Sequence, residues 1–290
     1  MHPSKSSETD ALLLAESIRT FAGSLSQTLI WYFIPEYGKQ LSATAKNRLL
    51  ALDATLIPFE IDNEALRFPF SCEASAAALA EQMSCGQTDF LVWMNTNTVM
   101  LQEPKEFLLQ NGKSVGLRPV HHTLVGSRYD EPIDPFWTLI FSYCKVPENR
   151  IFPMMTHVDG TIIRPYFNAG LLVTRPEKHL LQAWRNTFFE AYPEPSFQEL
   201  YQQDERYKVF IHQAILSGVI LSALATNEIQ ELPPKYNYPL HLYAQDVTDH
   251  APSCLEELVT FRYEGFYEDS EWMKIPAKEK LRQWIAKRIL

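Results

Sequence analysis

From residue 11 onward the chain alternates between two hydrophobic periods. Ala11, Leu14, Ala15, Ile18 and Phe21 recur at the spacing of one helix face, behind Ser7-x-x-Asp10, which reads as a capping box. A β-rich apolar run at 29–34 (LIWYFI), closed by Pro35, predicts a strand. The alternation continues with a helix at 43–52, a strand at 55–59, a helix at 73–83 and an apolar run at 90–94. Helix and strand alternating at this interval predict an α/β fold, with a mostly parallel central sheet covered by helices on both faces.

Beyond residue 100 the pattern is less regular. It predicts a strand at 114–117, a helix at 136–143 and a hairpin turning at Asp159-Gly160 between 154–158 and 161–163. A strand at 170–174 ends at Arg175-Pro176, and helices at 177–189 and 205–216 are joined through Pro193 and Pro195. A last helix opens at Pro276 and carries Leu281, Trp284, Ile285 and Ile289 on one face. No repeat, low-complexity stretch or long linker interrupts this, so residues 1–290 are expected as one domain with 1–10 loosely ordered.

Composition narrows the partners. A 46% hydrophobic content is ample for a core, and a net charge of -9 argues against a broad basic footprint for nucleic acid or an anionic membrane. Cys72, Cys85, Cys144 and Cys254 form no CxxC pair and no metal-ligand spacing, the usage of idle thiols in a reducing compartment. The three-leucine cluster before Glu16 is too short for a signal-peptide core, and no segment approaches the roughly 18 apolar residues of a membrane span. The expectation is a cytoplasmic protein; its oligomeric state is not legible.

In an open α/β sheet ligands gather at the carboxyl ends of strands. The run 90–94 ends in Asn95-Thr96-Asn97, which sets two amides near a strand tip, although a plain polar turn uses the same residues. Asn168, Ala169 and Gly170 stand just ahead of an apolar strand, where backbone can approach a ligand closely or simply turn. His212 and Gln213 flank an apolar stripe of Tyr207, Phe210, Ile211, Ala214 and Ile215, so they suit either a pocket wall or a solvated face. His121-His122 would diverge on a strand, and His157-x-Asp159 is a two-ligand spacing common by chance. There is no GxSxG, P-loop, GxGxxG or HExxH.

Taken in order, FLVWMNTNTVM (90–100), YFNAGLLV (166–173), IHQAIL (211–216) and LPPKYN (232–237) resemble the GT-A nucleotide-sugar glycosyltransferases, in particular their family-8-like retaining group. The resemblance covers residues 11–267. It implies a nucleotide-sugar donor and an acceptor of unknown identity, Asn95 and Asn97 beside the diphosphate, and Asn168 and Gln213 as catalytic residues near the sugar. It further implies that Ala169, Gly170, His212, Tyr236 and Asn237 line the site.

The departures matter as much. Asn95 and Asn97 replace both carboxylates of the family's Asp-x-Asp pair, His212 replaces the acidic residue before Gln213, and no metal-completing His stands in 259–265 (VTFRYEG). The first helix leaves no room for the family's first strand. No tightly bound divalent metal is therefore expected, and Arg118, Arg128, Arg164, Lys235 and Arg262 are candidate phosphate partners, Arg164 and Arg262 foremost. The alternative is a catalytically silent GT-A-like domain that binds a sugar, a nucleotide or a protein.

Overall fold

The computed structural model describes residues 5–37, 40–264 and 273–289. In chain order the main elements are α1 (Lys5–Phe21), β1 (Ile30–Pro35), α2 (Ala43–Ala51), β2 (Ala54–Phe59), α3 (Ser71–Ser84), β3 (Leu91–Met94), β4 (Thr98–Met100) and β5 (Val115–Pro119). There follow α4 (Pro135–Tyr143), β6 (Met154–Met155), β7 (Ile162–Ile163), β8 (Phe167–Thr174), α5 (Leu180–Ala191), α6 (Pro195–Gln203) and α7 (Glu205–Ala223). The chain closes with β9 (Ile229–Glu231), β10 (Tyr238–Pro239), β11 (Thr260–Arg262) and α8 (Glu279–Ile289). Its residues fall into two compact units, one of 1–60, 94–105 and 233–290, the other of 61–93 and 106–232.

In the first unit α1 buries Ala11, Leu14, Ala15 and Ile18 of the predicted stripe, while Phe21 is half-buried. The helix starts earlier than the capping box predicted, with residues 5–10 helical, while residues 1–4 lie outside the described residues. Asp10 is consequently inside the helix, where its carboxylate accepts a hydrogen bond from Tyr263 Oη at 2.7 Å. Tyr32 Oη donates to Ala11 O at 2.6 Å and ties α1 to β1, which pairs in parallel with β2. Ser42 caps α2 by accepting from Ala45 N, an arrangement worth about 1 kcal/mol. Leu13, Val99, Tyr238, Phe261, Ile275 and Ile285 form the core of this unit, and α8 contributes Leu281, Trp284 and Ile285 of the face predicted for it.

The second unit is built on the sheet β3-β8-β5-β9. The α/β class holds, with a mixed sheet: β5 pairs antiparallel with β8 and parallel with β9. The connection from β5 to β8 runs through α4 and the hairpin β6-β7, with Gly160 at φ 62 in the predicted turn. Asp134 caps α4 by accepting from Trp137 N at 3.0 Å, with Pro135 in the first turn, where a missing N–H costs nothing. The Pro193/Pro195 segment holds a helix of its own, α6, because Pro195 sits at the helix start that tolerates it. Around the sheet α4, α5, α6 and α7 bury Trp137, Trp184, Phe136, Phe188 and Phe197.

Candidate functional site

The predicted site residues divide between the two units. In the second unit Asn168, Ala169 and Gly170 lie inside β8 and not in a turn ahead of it, and every residue of that strand is buried. Their exposure is small because α7 lies against them. Phe167 N donates to Ser217 Oγ at 2.9 Å and Ala169 N donates to Gln213 Oε1 at 2.9 Å. The fit is geometric: four helical residues rise about 6 Å, and two strand residues rise about 6.6 Å. Two side chains one turn apart on α7 therefore meet alternate N–H groups of β8. Here the helix serves β8 as a neighbouring strand would.

Gln213 and His212 are thus interior, at 9% and 6% exposure, and not on a solvated flank. The His212 ring stacks on Phe70, with centroids 4.1 Å apart, while its Nδ1 meets Val209 O at 2.9 Å and its carbonyl accepts from Trp184 Nε1. Asn168 Oδ1 accepts from Gly170 N at 2.8 Å, which fixes the amide so that Nδ2 faces His121 Nε2 at 3.3 Å. An amide nitrogen can only donate, so this contact requires His121 Nε2 to be the acceptor and the ring proton to sit on Nδ1. The Gln213 amide also faces the Tyr166 hydroxyl, whose pKa burial pushes up while that amide draws it down.

His121, a poor metal ligand by its spacing, is a partner of Asn168. Its ring is also 5.9 Å from that of His157. Asp159, predicted as a possible co-ligand of His157, instead accepts from Thr123 N and Oγ1 and from Thr156 Oγ1. Those hydrogen bonds lower its pKa against the opposing effect of burial. Among the described residues no cluster of three or more His, Cys, Asp or Glu side chains has the arrangement of a metal site.

In the first unit Asn95 and Asn97 are half-buried in the turn between β3 and β4. Asn97 is doubly tied to the end of β11: its Nδ2 donates to Tyr263 O at 2.7 Å, and its carbonyl accepts from Tyr263 N at 3.1 Å. The antiparallel register of β4 and β11 puts Arg262 opposite Thr98, next in sequence to Asn97. Arg262 is largely covered, with 20% of its side chain exposed, and its Nη2 meets Glu264 Oε1 at 2.9 Å. Burial lowers its pKa while the Glu264 charge raises it, and the guanidinium remains a cation. Tyr236 and Asn237, expected along the site, are fully buried. Asn237 takes φ 50, as Asn tolerates, and donates its N–H to Thr260 Oγ1 at 2.7 Å.

The other predicted cations are largely committed within the fold. Arg164 donates to Ser127 Oγ, Arg128 O and Glu131 O, pinning the 127–131 loop. Arg118, at 3% exposure, bridges Glu231 Oε1 and Leu232 O, and burial lowers its pKa to about 10. Arg128 pairs with Glu131 at 3.1 Å. Lys235 contributes its carbonyl, which accepts from Val259 N.

The four cysteines are free thiols, and among the described residues no helix is long and apolar enough to cross a membrane. No curated protein matches the chain significantly. Among solved structures it is similar to the galactosyltransferase LgtC in complex with donor and acceptor sugar analogues: 13% identity over 97% of this chain and 98% of that one, TM-score 0.51. It is also similar to the glycosyltransferase GlyE of Streptococcus pneumoniae TIGR4, at 10% identity over 100% of this chain and 62% of that one, TM-score 0.51. At such identities the likeness establishes the GT-A fold. Residues 3–223 match the Rhodobacterales glycosyltransferase domain, and on that extent of match the chain belongs to this glycosyltransferase family.

Proposed function

We propose that this chain transfers a glycosyl group from a nucleotide-sugar donor without a tightly held divalent metal, the donor diphosphate being met by the Arg262 guanidinium. Donor-set chemistry carries the proposal. The strand-tip amide of Asn97 is spent as a donor to Tyr263 O, and the register sets the cationic Arg262 opposite the next residue, Thr98. Magnesium and manganese favour carboxylate oxygens, so such a tip suits them poorly, whereas a guanidinium pairs with phosphate oxygens directly. In this reading Asn95 lies beside the diphosphate. Asn168 and Gln213, whose oxygens are held by backbone N–H groups, are assigned to the sugar region by the family resemblance.

Match along 97% of the chain with a glycosyltransferase of nearly equal extent supports treating residues 1–290 as one GT-A-like domain. The free cysteines and the net charge of -9 suit a cytoplasmic setting and no nucleic-acid partner. The deep burial of Asn168 and Gln213 favours a second reading, a domain that binds the donor and does no chemistry. A nucleotide-sugar panel with detection of released nucleoside diphosphate, run with EDTA and with manganese, decides between them. Release that is unaffected by EDTA is expected. Strict dependence on manganese would overturn metal independence, and binding without release would select the silent domain.

A further inference from the structure

β10 and β11 run parallel, with Pro239 opposite Arg262. Two residues beyond each partner stand His241 and Glu264, so the register itself brings both of these side chains to the end of the strand pair. There the Glu264 carboxylate meets two basic groups at once: Oε1 lies 2.9 Å from Arg262 Nη2, and Oε2 lies 3.9 Å from His241 Nε2. The two bases are largely covered, at 20% and 19% side-chain exposure, whereas Glu264 is 58% exposed. Arg262 Nε is buried and has no hydrogen-bond partner among the described residues, so the guanidinium retains donor capacity that Glu264 does not use. A largely covered basic pair thus meets a surface carboxylate.

We propose that Arg262 and His241 form an anion subsite for a phosphate-class group, and that Glu264 occupies it as an internal competing anion when no ligand is bound. The proposal rests on the reading of this chain as a nucleotide-sugar transferase only for the identity of the natural ligand, the diphosphate of the donor. The pairing itself is a property of the β10-β11 end. A carboxylate presents two oxygens to a guanidinium much as a phosphate does. The phosphate carries more charge and more acceptor oxygens, enough to engage Nε and Nη2 together and to use the imidazole as well. Glu264 gains little from its contact because an exposed ion pair is worth little in water. It is therefore a displaceable occupant, one that discriminates against weak monoanions such as chloride or acetate.

The probe is inorganic pyrophosphate, titrated calorimetrically into the full chain and into Glu264→Gln, Arg262→Gln and His241→Gln. Glu264→Gln should bind pyrophosphate about threefold to fivefold more tightly than wild type, the range set by the modest strength of an exposed ion pair. Arg262→Gln should lose at least about tenfold, and His241→Gln should weaken binding by less than that. Since Arg262 is largely covered, each variant is also measured for thermal unfolding. Arg262→Lys, which keeps the charge but not the fork, should recover part of the affinity. Unchanged affinity in Glu264→Gln overturns the competition, and unchanged affinity in Arg262→Gln or an absence of pyrophosphate binding in wild type and Glu264→Gln alike overturns the subsite. Neither readout needs a nucleoside or a turnover, so pyrophosphate competition without glycosyl transfer would fail the proposed function alone.

Discussion

Asn97 and Tyr263 exchange two hydrogen bonds, side-chain Nδ2 to Tyr263 O at 2.7 Å and Tyr263 N to Asn97 O at 3.1 Å, and so lock β4 to the end of β11. A carboxylate at this position could not donate to Tyr263 O; it would set one acceptor against another. Asn97→Asp should therefore lower stability by about 1–3 kcal/mol, the usual penalty for losing a partner at a covered polar group. Urea unfolding of the variant at neutral pH measures it. The Asn95→Asp/Asn97→Asp pair should likewise be less stable and gain no micromolar affinity for manganese, read by calorimetry. A variant as stable as wild type that binds manganese would show the amide to be a simple replacement for a lost ligand.

Gln213 and Ser217 hold β8 from α7, and each accepts a buried backbone N–H. Gln213→Leu keeps the bulk, removes the acceptor and leaves Ala169 N–H unpaired, so it should cost about 1–3 kcal/mol. Ser217→Ala should cost a similar amount by orphaning Phe167 N–H, and its effect should couple to that of Gln213→Leu because the two side chains hold alternate N–H groups of the same strand end. Denaturant curves for the two single variants and the double variant give the coupling directly. If Gln213→Leu abolished donor turnover while leaving stability within about 0.5 kcal/mol of wild type, the residue would act on the sugar and not on the strand.

These two relationships also show what the sequence could carry. The helices at 43–52, 73–83 and 136–143 and the strands at 29–34 and 55–59 were legible because local periodicity alone decides them, and the structure places them within a few residues. β9, β10 and β11 were not, since strands of two or three residues are stabilised by their partners and carry no period of their own. Asn168 and Gln213 were visible as polar residues in apolar runs, but their burial was not. Whether an amide meets water or a strand N–H depends on an element 44 residues away. A signal did exist, for Gln213 and Ser217 are polar residues one helical turn apart in an otherwise apolar stretch of α7. The β4 pairing with β11 that sets Arg262 opposite Thr98 left no such trace.

Glu228 gives a pH dependence with a definite sign. Its carboxylate accepts from Ala225 N at 3.1 Å, from Ser114 Oγ at 2.9 Å and from Lys178 Nζ at 3.0 Å. These partners bring its pKa from the ordinary 4.5 down to about 2. The folded chain therefore binds this proton less tightly than the unfolded chain does. The stabilisation is fully present above pH 4.5 and is lost as the pH falls from 4.5 towards about 2. Urea midpoints of wild type and Glu228→Gln should accordingly differ at neutral pH and converge in acid. A gap that stays constant between neutral pH and about pH 3 would mean that the carboxylate charge contributes nothing.

Gly218 shows why α7 can pack so closely on its neighbours. In the middle of this helix an alanine would ordinarily gain about 1 kcal/mol over glycine. Here an added Cβ would lie 2.5 Å from Cys144 Sγ and 2.9 Å from Cys144 Cβ, at the end of α4, and neither atom is the free tip of a flexible chain. Overpacking of this kind costs about 1–3 kcal/mol, so Gly218→Ala should be destabilising despite the gain in propensity. Cys144→Ala removes the closer contact and leaves those with Cβ at 2.9 Å and with Ile140 Cγ2 at 3.4 Å. Gly218→Ala should therefore be less destabilising when introduced into Cys144→Ala than into wild type, with a coupling of about 1 kcal/mol in the double-mutant cycle. Additive effects would show that α4 and α7 can separate at this crossing without loss, and that the glycine is not required by their close approach.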